Sequence, residues 1–267
     1  MTKAEEIQHV WKNRDLIIAE KTNAIKHADV VFHTAKDNDD SKGVNKAGVD
    51  ITIQDPSILN AKLVINTTKL VDSHMDCHID GLWKKSLSES KQLLLLEEHT
   101  MKFDKIIADS LVDKLSAYTE QMTFKSLGFN YPGNTEALIF DVQIKKDVNE
   151  KMFDLYRKGR VTQHSVGMRY IKIFLCIDSD EPNYSSEKAN WDKYYSAVVN
   201  KELVDQKGFF WAVTEAKVIE GSAVVKGSNE CTPVMEIEIE KNEAVNDTSK
   251  PEPSNDTQKR KSTSLLM

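Results

Sequence analysis

One long run of β-branched and apolar residues constrains the fold of this chain more than any other stretch. It begins after Gly159, where a predicted helix ends, and continues as VTQHSVGMRYIKIFLCID to Asp178. Ser165 and Gly167 are two residues apart in this run, so both point to the same face of a strand. A serine beside a glycine can expose its hydroxyl and let another backbone approach closely. Most strand serines only face solvent, so the pattern gains meaning only from residues elsewhere in the chain.

Composition excludes several classes of protein. The 267 residues are 40% hydrophobic and 29% charged, which is typical of a soluble globular protein. A net charge of -6 gives no support to nucleic-acid binding, which needs a basic patch. The longest apolar runs, such as LLLL at 93–96, are too short to cross a bilayer, and MTKAEEIQ lacks an apolar signal core. We therefore expect no nucleic-acid partner, no membrane partner and no secretion.

The three cysteines are odd in number and widely spaced, at Cys77, Cys176 and Cys231. This pattern predicts reduced thiols of a cytoplasmic protein rather than a disulfide framework. Cys176 could serve as a nucleophile, but its apolar strand predicts a buried and inert thiol.

The chain divides into three predicted parts. Residues 1–30 form an N-terminal amphipathic helix that begins with the capping-box pair Thr2 and Glu5, and it can pack on the body or on a partner. Residues 31–240 form the main domain. Residues 241–267 are rich in Asn, Ser, Thr, Pro, Asp and Lys, which cannot bury enough apolar surface to fold, so they predict a disordered tail.

The main domain mixes predicted strands and helices. Besides the Ser165 strand, the patterns predict strands at 61–70, 138–144 and 209–225, a short helix around 83–90, a helix capped by Asp147 and ended by Gly159, and an amphipathic helix through Trp191 that ends near Gly208. Residues 104–126 are ambiguous between helix and strand. The fold class is therefore α+β.

A metal site has to be considered at residues 71–87. His74 and His78 are four residues apart, with Asp72, Asp76 and Cys77 among them. The Glu that directly follows the first His in helical zinc hydrolases is missing, and the aspartates and Gly81 favour a loop. We predict no metal site and no cofactor, and a metal hydrolase is kept as a lesser alternative.

Two further residues suit acid–base chemistry. The run LLLLEEH ends at His99, and a histidine at the end of a buried run is well placed to act as a general base, although a surface histidine at a strand end is the more common case. The β-rich stretch 209–225 places Glu220 beside Gly221 and Ser222.

In this order the pieces resemble a family. An Asp-rich segment ends in Gly-Leu-Trp at 81–83, LLLLEEH follows at 93–99, HSVGMRY surrounds Ser165, and IEGSAVV holds Glu220 and Ser222. The set resembles the prohead maturation proteases of tailed bacteriophages, serine peptidases that look related to the herpesvirus assemblins. The resemblance covers about residues 60–235 and makes 31–240 the protease domain.

The resemblance implies a compact, mostly antiparallel β-barrel core surrounded by helices, as in the assemblins. It implies a serine endopeptidase with Ser165 as nucleophile, His99 as base and Glu220 as the acidic third member. Backbone N–H groups near Gly167 and Arg169 are the expected oxyanion donors. Where the family commonly has Pro-Ala-Asn after the Glu220 strand, this chain has KGSNECTP, so His164, Asp72 and His74 are alternatives for the third member.

The resemblance also implies a biological setting. The enzyme would act in the host cytoplasm inside the assembling prohead, cut scaffold or major capsid protein segments, and process itself. A homodimer is compatible with the assemblin relationship. The alternative from another class is a non-catalytic capsid-assembly scaffold or binding protein on the same fold, with the N-terminal helix as its contact.

Overall fold

The computed structural model describes residues 2–25, 56–227 and 229–239. Six α-helices lie in these ranges: α1 (Lys3–Lys12), α2 (Arg14–Asn23), α3 (Lys84–Glu89), α4 (Glu150–Arg157), α5 (Ser185–Tyr194) and α6 (Lys201–Lys207). Nine strands accompany them: β1 (Ile58–Thr67), β2 (Asp76–His78), β3 (Leu94–Glu97), β4 (Ile106–Asp109), β5 (Leu115–Thr123), β6 (Asn134–Lys145), β7 (Gln163–Ile177), β8 (Phe209–Val224) and β9 (Val234–Ile239).

The strands form two sheets. The first sheet has the order β5-β6-β1-β9, and each neighbouring pair is antiparallel. The second is built on β8, which pairs with β7 along one edge. Along its other edge β8 pairs in parallel with β2 at Trp211–Val213 and with β3 at Gly221–Ala223. Strand β4 completes this sheet beside β3.

The two sheets share one apolar core and approach each other closely at Gly221. A Cβ at this position would lie 2.7 Å from a ring atom of Phe140 and 3.2 Å from a methyl of Ile65, both in the first sheet. Only glycine permits this approach. Because side chains alternate along a strand, Glu220 and Ser222 point to the other face of β8.

The predicted α+β class is confirmed, since 30% of the described residues are helical and 39% are in strands. Most strand pairs are antiparallel, as expected. The two sheets do not close into a barrel in the described part of the chain. None of the described helices is both long and apolar enough to cross a bilayer.

The N-terminal segment contains two helices where one was predicted. The predicted capping box is present, since Thr2 and Glu5 exchange hydrogen bonds at the start of α1. Asn13 separates α1 from α2. Ile7 and Val10 are buried against the body, and Lys21 of α2 reaches Asp76 in the core at 2.5 Å. The inward-facing residues of both helices therefore pack against this chain's own domain.

Several local predictions need correction. The cap of α4 is Asn149, whose side chain accepts from the Met152 N–H, and not Asp147. The ambiguous stretch 104–126 contains β4 and β5. The helix predicted through Trp191 is two helices, α5 and α6, and the second ends at Gly208 as expected. The predicted tail from residue 241 lies outside the described residues.

Candidate active site

His99 lies in a tight turn directly after β3. The Thr100 N–H donates to the Glu97 carbonyl at 3.1 Å, and the two central residues, Glu98 and His99, have φ of 50° and 55°. Two central residues with positive φ define a type I′ turn, which normally contains Asn or Gly. Left-handed backbone costs about 1–2 kcal/mol for residues with a Cβ. Strain of this kind at a histidine is a mark of a functional position.

Ion pairs fix the strand that carries this turn. The buried carboxylate of Glu97 accepts from Lys105 at 3.2 Å and also from Lys151 of α4. Burial acts to raise the pKa of Glu97, but the hydrogen bonds from the two ammonium groups outweigh it and lower the pKa. The Glu98 N–H donates to the Ala223 carbonyl at 3.0 Å, which ties the turn to β8.

The register of β7 and β8 places the predicted residues of both strands side by side. Ser165 is opposite Ser222, and Gly167 is opposite Glu220. Opposite residues of an antiparallel pair point to the same face. A β-bulge follows directly, since Met168 pairs with Val218 and leaves Ile219 extra. Bulges are common beside active sites, where they redirect side chains.

His99, Glu220 and Ser222 form a closed ring of hydrogen bonds. His99 Nδ1 lies 2.6 Å from Glu220 Oε1. The Ser222 hydroxyl donates to Glu220 Oε2 at 2.6 Å and accepts from the backbone N–H of His99 at 3.1 Å. Glu220 is 1% exposed and Ser222 is completely buried. The ring fixes both the carboxylate and the histidine.

The ring also determines the histidine tautomer. The Ser222 hydroxyl accepts a hydrogen bond from the His99 N–H, so the proton of this hydroxyl points to Glu220. Both carboxylate oxygens are then acceptors, so the imidazole donates from Nδ1. His99 Nε2 consequently carries the lone pair, and this is the nitrogen that a general base of this type uses.

Gly167 makes the position of Glu220 possible. A Cβ at residue 167 would lie 1.8 Å from Glu220 Oε1 and 2.7 Å from its carboxyl carbon. The glycine of the Ser-x-Gly pattern thus provides the space in which the carboxylate crosses over β7.

Ser165 lies beside this ring but is not hydrogen-bonded to it. The residue is 3% exposed, and its Oγ is buried without a hydrogen-bond partner in the described part of the chain. The structure therefore brings His99 and Glu220 into contact and places Ser165 opposite Ser222, without a bond from Ser165 to His99. A buried hydroxyl with no partner costs about 1–3 kcal/mol and calls for an explanation.

The alternatives for the third member lie elsewhere. His164 alternates with Ser165 along β7, and its Nε2 bonds to the Tyr156 hydroxyl at 2.9 Å. Burial lowers the pKa of His164 to about 4. Asp72 accepts from the N–H groups of His74 and Asp76 in the segment around β2. Glu220 is therefore the carboxylate that the structure pairs with His99.

The predicted oxyanion donors remain a prediction. Gly167 packs against the Glu220 side chain, and Arg169 is exposed beyond the bulge, opposite Lys217.

The metal site and the cysteine nucleophile that the sequence analysis considered have no support among the described residues. Among the described residues no three His, Cys, Asp or Glu side chains are grouped to hold a metal ion. The thiols of Cys77, Cys176 and Cys231 are buried, and burial raises the pKa of each. Such thiols are poor nucleophiles because the thiolate is disfavoured.

Comparison with protein-family models, with curated proteins and with solved structures finds no match to this chain.

The sequence did not reveal the role of Ser222 or of the register. The Glu-x-Ser pattern could be seen in the sequence. Its serine, Ser222, can bond to the His99 N–H only because β3 ends beside it in the fold. The glycine at 167 was itself a local signal, because a glycine within a strand suggests that another group approaches closely. Nothing in the sequence showed that this group is the Glu220 side chain.

Proposed function

We propose that this chain is a serine endopeptidase in which Ser165 is the nucleophile, His99 the general base and Glu220 the orienting acid. The observation that carries the proposal is the 2.6 Å contact between His99 Nδ1 and Glu220 Oε1, held by Ser222. It leaves Nε2 as the basic nitrogen on the turn beside β8, while Ser165 lies across from Ser222 with an unsatisfied hydroxyl.

The reaction follows from these roles. His99 Nε2 takes the proton of Ser165 as Oγ attacks the carbonyl carbon of the peptide bond. The imidazolium formed in this step is stabilised by the Glu220 carboxylate. His99 then returns the proton to the leaving amine, and water hydrolyses the acyl-enzyme by the same route. Ser222 holds Glu220 throughout, because it occupies the second carboxylate oxygen.

The proposal requires a change on substrate binding. Ser165 Oγ is buried and makes no hydrogen bond in the described structure, so the substrate has to open the site and bring Oγ to His99. Catalytic hydrogen bonds are often long or poorly aligned without substrate and tighten in the Michaelis complex.

The biological part of the proposal rests on the resemblance of the ordered motifs to the phage prohead maturation proteases. On this basis the enzyme cuts scaffold or major capsid protein segments inside the prohead in the host cytoplasm, and processes itself. An assemblin-like barrel core and a homodimer belong to the same proposal. The antiparallel pairing throughout the first sheet and between β7 and β8 supports the first of these.

Replacement of Ser165 is the decisive test. We expect Ser165→Ala to abolish cleavage of a co-expressed capsid precursor, and to abolish labelling by a serine-reactive phosphonate. Ser116→Ala, which removes an exposed strand serine of β5, is the matched control and should leave both unchanged. Full cleavage by Ser165→Ala would remove this residue from the mechanism.

The same experiment tests the non-catalytic alternative. A scaffold or binding protein would react with no phosphonate, and its binding to capsid subunits would be unaffected by Ser165→Ala. The alternative loses part of its basis in the structure, because the apolar residues Ile7 and Val10 of α1 are buried against the chain's own body.

A further inference from the structure

A second feature of the molecule has the properties of a binding site. A cavity of about 480 Å³ lies between the end of β1, the segment around β2, α6, and residues 226–227 and 229–230. It shares no lining residue with the Ser165, His99 and Glu220 site. Its volume is within the range of about 300–1,000 Å³ that small-molecule sites occupy.

The wall of this cavity is held by a relay of buried polar side chains. Lys21 contacts Asp76 at 2.5 Å, and Asp76 accepts from the Tyr170 hydroxyl at 3.1 Å. Tyr170 lies 3.2 Å from His78 Nε2, and His78 Nδ1 lies 3.2 Å from Asn66 Oδ1. Such a fully buried network is rigid, so the wall is pre-organised.

Two polar atoms of the wall have no partner in the described part of the chain. Asn66 is 2% exposed, yet its Nδ2 makes no hydrogen bond, and neither does the buried Oγ of Ser73. Both residues line the cavity. Buried polar side chains almost always find a partner, so these two atoms point to a ligand with a carbonyl or hydroxyl that can accept from Asn66.

The charges of the cavity indicate that the ligand also has a cationic group. Asp72, Glu202 and Glu230 line it, and Lys226 lies among them. Asp76 is already paired with Lys21, and burial lowers the pKa of His78 to about 4, so its ring is neutral at pH 7. The excess of carboxylates favours a cation. A guanidinium group fits a partly buried site of several acceptors best, because it is planar, weakly hydrated and has five donors.

Asp72 is the anchor for such a cation. It is half-buried, and its Oδ1 is engaged by the backbone N–H groups of His74 and Asp76. Removal from water, together with the charge of Asp76, raises the pKa of Asp72 to about 7. A bound cation would compensate this carboxylate.

We propose that the cavity binds the basic side chain of an arginine-like group, a guanidinium with a carbonyl close to it, through Asp72 and Asn66. The source is either a free amino-acid derivative or a basic residue within a peptide. The proposal is independent of the proposed protease activity.

Calorimetric titration of the full chain at pH 8 tests it, with arginine amide, citrulline amide and the blocked peptides acetyl-Gly-Arg-Gly-amide and acetyl-Gly-Cit-Gly-amide as probes. Citrulline has the shape of arginine without its charge. We expect at least one arginine probe to bind with Kd below about 10 mM and about tenfold or more tighter than its citrulline counterpart. Binding of the amide alone identifies a free ligand, and binding of the peptide alone identifies a peptide residue.

Three variants distinguish binding in the cavity from non-specific binding at the protein surface. Asp72→Asn keeps an oxygen for the two N–H groups, and should weaken binding about tenfold or more. Leu203→Trp fills the cavity from α6 without changing a polar group, and should abolish binding. Asp15→Asn, an exposed carboxylate on α2, is the control and should have no effect. The proposal is overturned if no arginine probe binds below about 10 mM, if citrulline binds equally well, or if both cavity variants bind as the parent does.

Discussion

Gly167 lies directly opposite Glu220 across β7 and β8, and the carboxylate occupies the place where a side chain at 167 would be. A Cβ there would come within 1.8 Å of Glu220 Oε1, the atom that contacts His99 Nδ1. The glycine of the Ser-x-Gly pattern is therefore a steric requirement of the acid–histidine pair.

Gly167→Ala should displace Glu220, reduce peptide-bond cleavage about 100-fold or more, and lower the free energy of unfolding by about 1–3 kcal/mol, as overpacking does. Initial rates on a fixed substrate and urea denaturation measure the two effects. Adding Glu220→Ala removes the clash, so the double variant should regain stability without activity. Equal stability of Gly167→Ala and the parent would contradict the steric argument.

Ser222 is predicted to act as a positioning residue. Ser222→Ala removes the donor to Glu220 Oε2 and the acceptor of the His99 N–H. We expect kcat to fall about 10–100-fold with KM little changed, because the base is misaligned while substrate contacts persist. The pH profile of kcat should also shift, which a purely structural role would not cause. Ser86→Ala, which removes a buried serine of α3 whose hydroxyl accepts from the Val218 N–H of β8, is the control and should leave that profile in place.

Replacement of Ser165 should affect stability in an unusual direction. Ser165→Ala deletes a buried hydroxyl that has no hydrogen-bond partner among the described residues. The free energy of unfolding should therefore rise by about 1 kcal/mol while activity is lost. Thermal and urea denaturation provide the measurement. A loss of stability instead would mean that the hydroxyl has a structural role.

The strained turn offers a separate test. Glu98 is exposed and has a positive φ that Asn adopts more readily. Glu98→Asn should raise the free energy of unfolding by about 0.5–1 kcal/mol. Glu98→Val, which adopts positive φ poorly, should lower it. Equal free energies of unfolding for Glu98→Asn and Glu98→Val would show that the left-handed backbone of the turn does not affect stability.

Stability should depend on pH through buried histidines. The pKa of His164 is about 4 in the folded chain against an ordinary value of 6.5. Between these values the unfolded chain takes up a proton that the folded chain refuses, so stability falls as the pH falls, by up to about 1.4 kcal/mol per pH unit. His78 acts in the same direction. Asp72, whose pKa is raised to about 7, acts in the opposite direction and gains stability as the pH falls below that value.

A difference measurement isolates the histidine. Urea denaturation of the parent and of His164→Gln between about pH 7.5 and pH 4.5 should give a shallower pH dependence for the variant, by up to about 1.4 kcal/mol per unit. Asp72 contributes equally to both chains and cancels. Parallel curves would show that His164 takes up its proton equally in the folded and unfolded states.

The sequence predicted the local features and missed the long-range ones. The strands around Ser165 and Glu220 were predictable because each stretch is rich in β-branched and apolar residues. His99 was found because it ends such a run. The cap at Asn149 was missed because Asp147 has the same spacing to Glu150 that a capping box requires.

The remaining features depend on residues that are distant in the chain. Ser165 and Ser222 are brought together by register, which one residue of slippage would destroy. The cavity combines Asn66, Asp72 and Glu230, which share no local pattern. Closure into the barrel that the resemblance implies depends on edge pairing, which no single stretch of sequence encodes.

Gly221 has a mechanical consequence. Since it has no side chain, Phe140 and Ile65 press directly on the backbone that carries Glu220 and Ser222 on its other face. No deformable layer separates the first sheet from this backbone. A shift of the first sheet is therefore transmitted to the carboxylate as a displacement of β8 itself, and the alignment of His99 depends on how rigidly a neighbouring sheet is held.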